Sequence, residues 1–189
     1  MTSAAGRYPN PTTEAAIHVS SLIGVHDVLQ ATRARFFVSV VHSPTLMPTP
    51  NWVEPEDHLR LGCQDVVDDH PGQSGPQLEH VHALIAFAHR WNRRGPLVIH
   101  CMAGISRSTA AAYVTLCSLN TGTSEDTLAR SLREASPSAL PNRQLVALGD
   151  TVLDRQGRMN RAIAALDIGA ALSAPARPFS IPSTIAGMD

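Results

Sequence analysis

The chain has 189 residues, 43% of them hydrophobic and 16% charged, with 15 arginines, 16 acidic residues and no lysine. That apolar content suits one compact core, and a net charge of -1 argues against wholesale binding of nucleic acid or other polyanions. Any phosphate recruited must be held by guanidinium groups or main-chain amides, because there is no ammonium side chain to hold it.

The first fifteen residues lack apolar periodicity and read as a loose tail ahead of a single domain over 16–168. They also lack the basic run and apolar stretch of a signal peptide, and no segment reaches the roughly 20 apolar residues of a membrane span. The expectation is a cytoplasmic monomer with no membrane or nucleic-acid partner. IHVSSL (17–22) predicts a strand, GVHDVLQAT (24–32) a short helix and RFFVSVVH (35–42) a buried strand. SPTLMPTPNWVEPED (43–57) carries four prolines and reads as a surface loop, in which Trp52 either borders a cleft or pins the loop.

HLRLGCQDVV (58–67) alternates Leu59, Leu61, Cys63 and Asp65 on one face, which predicts a half-buried strand whose fourth inward position is a carboxylate. After the turn-rich DDHPGQSGP, the stripe Leu78, Val81, Leu84, Ile85, Ala88 predicts a long helix ended by Gly95 and Pro96. PLVIH predicts a strand, CMAGISRS a tight loop and STAAAYVTLCSLN a helix. A further helix starts at a Ser124 N-cap, and another over 141–156 has Pro141 in its first turn. From about Gly169 the chain again reads as a loose tail whose removal should be tolerated. The fold class expected is α/β, with a central mixed, mostly parallel sheet of about four to five strands flanked by helices.

Cys63, Cys101 and Cys117 form no C-x-x-C pair, which disfavours a disulfide framework or structural zinc. His80 and His82 cannot share a helix face, so no metal and no cofactor is expected. The informative segment is His100-Cys101-Met102-Ala103-Gly104-Ile105-Ser106-Arg107-Ser108, between a strand and a helix. A cysteine where a loop opens a helix meets inward amides and the positive helix end, which favour an anion. Free cysteine titrates near 8.5, and such settings lower it to about 3.5–7.5. Gly104 lets the backbone curl, and Arg107 can grip two phosphate oxygens.

This H-C-x5-R-S pattern resembles the signature of the cysteine-dependent protein tyrosine phosphatases, and the short chain is similar to their dual-specificity branch. The resemblance covers 17–156 in element order and is weak outside the signature. It implies that Cys101 is the nucleophile, that Met102, Ala103, Gly104, Ile105, Ser106 and Arg107 bind the phosphate, and that His100 and Ser108 support them. It implies a general acid where the strand before the long helix runs out. Asp65 matches that place, with Asp69 and Asp68 as alternatives. Asn142 steadies the loop or starts a helix. The implied reaction passes through a phosphocysteine on a phosphotyrosine, phosphoserine or phosphothreonine protein, or on a small phosphomonoester. Competing readings are a phosphate-recognising module that has lost catalysis, and a sulfurtransferase or arsenate reductase.

Overall fold

Five apolar stretches form one sheet: β1 (Ala16–Ser21), β2 (Phe36–Val40), β3 (His58–Leu61), β4 (Leu97–Cys101) and β5 (Phe179–Pro182). The computed structural model describes residues 15–43, 47–67 and 74–186. The strands lie in the order β3-β2-β4-β1-β5, the first four parallel and β5 antiparallel to β1. Seven α-helices occur among the described residues: α1 (Val25–Thr32), α2 (Leu78–Trp91), α3 (Arg107–Leu119), α4 (Glu125–Ala135), α5 (Arg143–Val152), α6 (Arg158–Ala164) and α7 (Ile168–Ser173). The chain thus adopts the expected α/β architecture around a mixed, mostly parallel sheet.

Both faces of the central strands are covered, which is why β2 and β4 are buried along their whole length and mostly apolar on both faces. Phe36, Val38 and Val40 of β2, with Leu97, Ile99 and Cys101 of β4, face a core shared with α2, α3 and α5. Phe37 and Val98 face the smaller cluster under α1, with Val25, Val28, Leu29 and Val53. Ser39 and His100 share that second face by the period of two. Helix α3 is buried from Arg107 to Ser118, and Ala110, Ala111 and Ala112 let its neighbours approach closely. None of the described helices is long and apolar enough to cross a membrane.

Four details depart from the sequence reading. β3 ends at Leu61, because the Cys63 N–H turns back to the Leu61 carbonyl at 3.1 Å, so Asp65 lies on a loop rather than on an inward strand face. The buried stripe of α2 is Val81, Leu84, Phe87, Ala88 and Trp91, while Leu78 at the first turn is exposed. Pro141 precedes α5 instead of sitting in its first turn, and Asn142 caps that helix by accepting from the Leu145 N–H at 2.9 Å. The stretch after Gly169 forms most of α7 and all of β5. Ile181 is buried there, and Asn120 ties the segment beyond by donating to the Ser183 carbonyl at 3.0 Å and accepting from the Ile185 N–H at 3.2 Å. A four-residue edge strand with little alternation leaves no periodic signal, so composition alone suggested a tail. The first fourteen residues lie outside the described part of the chain. Ser124 caps α4 as expected, accepting from the Thr127 N–H at 3.2 Å.

Candidate active site

Cys101 is the last residue of β4, at the carboxyl ends of the parallel strands, where open α/β sheets bind their ligands. Five residues, 102–106, connect it to α3. Gly104 takes φ +76°, and a Cβ there would stand 2.8 Å from the Ser21 nitrogen and 2.9 Å from the Ser20 carbonyl carbon. No other residue type fits so close to the end of β1. The curl this allows sends the Gly104 N–H to the Cys101 sulfur at 3.3 Å. Ser108 Oγ lies 3.1 Å from the same sulfur.

The loop is stapled from both sides. The Leu22 N–H donates to the Met102 carbonyl at 3.1 Å, the Leu140 N–H to Ile105 at 2.9 Å and the Asn142 N–H to Ser106 at 3.2 Å. Met102 and Ala103 are exposed, Ile105 and Ser106 half-buried, and Gly104 buried. Arg107 is buried, and its Nη1 donates to the Cys63 carbonyl at 2.7 Å while its Nε stands 3.7 Å from Asp65 Oδ2. Asp65 Oδ1 accepts from Ser106 Oγ at 2.7 Å and from Asn142 Nδ2 at 2.8 Å. One carboxylate therefore gathers three groups of the loop and its support. The Asn142 amide nitrogen also donates to the Val66 carbonyl at 3.0 Å, while its oxygen caps α5. Asp68 and Asp69 lie outside the described residues.

His100 is fully buried, and burial, reinforced by the Arg107 charge, pushes its pKa down to about 4. Its ring is neutral at pH 7, with Nδ1 3.2 Å from the Cys101 carbonyl oxygen and Nε2 2.8 Å from Ser39 Oγ. The other two thiols are held protonated by burial, Cys63 pushed up to about 11 and Cys117 to about 12. Trp52 pins the proline-rich loop, its indole N–H donating to the Ala34 carbonyl at 3.3 Å. Beside Ser106 and Asn142 opens a cleft of about 330 Å³ walled by Val67, Leu140, Ile163 and Leu166, with Arg133 at its side.

Sequence reasoning missed Ser39, His58 and the Cys63 carbonyl. Ser39 lies 61 positions from His100, and strand register alone pairs the two, so no local motif marks it.

No protein-family model and no curated protein matches the chain. Solved structures do. DUSP15 is 22% identical, with a TM-score of 0.56 over 82% of this chain and 96% of its own. Human DUSP28 is 20% identical, with a TM-score of 0.56 over 80% of this chain and 99% of its own. The PTP-2 phosphatase of Cydia pomonella is 17% identical, with a TM-score of 0.55 over 71% and 84%. The chain therefore has an α/β fold similar to that of these dual-specificity and tyrosine phosphatase structures, with the strand, loop and helix that carry H-C-x5-R-S set in its five-stranded sheet.

Proposed function

We propose that the protein is a phosphomonoester hydrolase of the tyrosine or dual-specificity type, acting through a phosphocysteine on Cys101. The observation that carries this reading is the sulfur itself, which accepts a main-chain N–H from Gly104 and sits within hydrogen-bond reach of Ser108. Both groups can donate to a sulfur that carries negative charge, and the thiolate is the nucleophilic form.

In the first step the Cys101 sulfur attacks phosphorus, the phosphorus–oxygen ester bond breaks, and Asp65 supplies the proton that the leaving oxygen takes up. In the second step water attacks phosphorus, the phosphorus–sulfur bond breaks, and Asp65 takes a proton from the water, releasing inorganic phosphate and the free thiolate. Arg107, its plane fixed by the Cys63 carbonyl and Asp65, neutralises the equatorial oxygens together with the loop amides. Ser108 donates to the departing sulfur in the second step. His100 holds the loop and transfers no proton, because its ring is neutral and turned to a carbonyl. The lack of basic residues in Met-Ala-Gly-Ile-Ser favours a phosphotyrosine or small phosphomonoester over a phosphoinositide.

The test is hydrolysis of an aryl phosphate, with chelator present, by wild type, Cys101→Ser and Arg107→Ala. Turnover should vanish in the first variant and fall by orders of magnitude in the second. Full turnover by Cys101→Ser removes the nucleophile assignment.

A further inference from the structure

The sheet places four polar side chains in a row on the face covered by α1, leading from the proline-rich loop to the nucleophile. Register pairs Ser39 of β2 with His100 of β4 on one side and with Arg60 of β3 on the other. His58, two residues before Arg60, lies on the same face, with Phe37 stacked on its ring at 4.2 Å and on the His100 ring at 5.3 Å. Arg60 Nη2 donates to Thr49 Oγ1 at 2.6 Å, Thr49 Oγ1 meets His58 Nδ1 at 2.9 Å, and His58 Nε2 meets Ser39 Oγ at 2.8 Å. Ser39 Oγ then meets His100 Nε2 at 2.8 Å, and His100 Nδ1 meets the Cys101 carbonyl oxygen at 3.2 Å.

The direction of every bond in this row follows from its two ends. A carbonyl only accepts, so His100 carries its proton on Nδ1 and its Nε2 accepts from the Ser39 hydroxyl. Ser39 has one proton and has given it, so His58 must donate from Nε2. His58 Nδ1 then accepts from Thr49, whose oxygen in turn accepts from Arg60, which only donates. Both rings must be neutral for this order to hold. Burial provides that, pushing His58 down to about 3 and His100 to about 4.

We propose that Ser39 and His58 are positioning residues of the catalytic loop, aligning a one-way chain of donors from Arg60 to the Cys101 carbonyl whose positive ends favour the anionic sulfur. Aligned hydrogen bonds polarise one another in a buried setting, so the row acts on the sulfur in the sense of a second small helix dipole. It also ties the entry of the catalytic loop to Thr49 in the proline-rich loop. The inference rests on Cys101 reacting as an anion. Among the described residues, the other ionisable or charged groups near Cys101 include Arg107 at the start of α3 and Cys63 and Asp65 after β3, and the variants below leave these in place.

The experiment measures alkylation of Cys101 by iodoacetamide at pH 6 and at pH 9.5, assigned by peptide mass spectrometry, alongside aryl phosphate hydrolysis. Ser39→Ala and His58→Phe should slow the pH 6 reaction roughly three- to tenfold, the scale of one lost hydrogen bond, with the pH 9.5 rate unchanged. His58→Gln keeps a donor for Ser39 and should recover most of the loss. Ser39→Ala removes only a hydroxyl, so it carries the test if His58→Phe does not fold. Equal rate ratios in wild type and Ser39→Ala, with wild type hydrolysing substrate and alkylating readily at pH 6, overturn the positioning role and leave the phosphatase reading intact. A wild-type Cys101 with the pH dependence of an ordinary thiol and no hydrolysis overturns both.

Discussion

Acid should destabilise this protein through its buried histidines as the pH falls below 6.5. His18, His58 and His100 are buried, and burial lowers them from 6.5 to about 4, about 3 and about 4. Between pH 6.5 and about 4 the unfolded chain binds protons on these residues that the native chain refuses. Stability is therefore full above pH 6.5 and falls as the pH drops through that window. At pH 5.5 each histidine costs on the order of 1 kcal/mol relative to neutrality, so the three together remove a few kcal/mol. That is a large part of the roughly 5–15 kcal/mol of a typical domain. Urea unfolding followed by Trp91 fluorescence at pH 7.5 and 5.5 reads the difference directly, since that indole is fully buried. His58→Gln should make the dependence shallower by about a third. Equal or greater stability at pH 5.5 would show that these rings are not kept neutral by burial.

Gly104→Ala should lower stability by about 2–5 kcal/mol, because the added Cβ meets the Ser20–Ser21 backbone at a positive φ, and kcat/KM should fall more than tenfold as the Gly104 N–H leaves the sulfur. Thermal unfolding and steady-state kinetics check both. Asp65→Asn should slow phenyl phosphate hydrolysis by about 10²–10⁴ but slow p-nitrophenyl phosphate far less, since the better leaving group needs no acid. Equal losses on the two substrates would reduce Asp65 to a holder of Ser106 and Arg107. Deletion of 174–189 should destabilise the fold by at least the roughly 1.5–3 kcal/mol of burying Ile181, seen as a lower urea midpoint.

The candidate loop was legible because the residues that shape it are local in sequence. Cys101, Gly104, Arg107 and Ser108 fall within one strand–loop–helix unit, and the same unit sets their geometry. The α/β order was legible from the apolar runs of β2 and β4 and the stripes of the helices. Asp65 was placed near the site for a partly mistaken reason. The apolar alternation through Cys63 suggested a strand, whereas the chain leaves β3 at Leu61 and loops across to meet Ser106 and Asn142. Asn142 was legible as a candidate, yet its tie to Asp65 spans 77 positions and has no sequence trace. The row from Arg60 to His100 was hidden for the same reason: it exists only in the register of three strands. β5 was hidden because an edge strand held mainly by main-chain bonds to β1 needs little apolar pattern of its own.

Rapid acid quenching of the protein mixed with an aryl phosphate, followed by mass analysis of the Cys101 peptide, tests the proposed chemistry most directly. The account predicts one phosphoryl group on that sulfur, accumulating in Asp65→Asn if release is slowed and absent in Cys101→Ser. Turnover with no phosphoryl group ever found on Cys101, or with the group on another side chain, would contradict it.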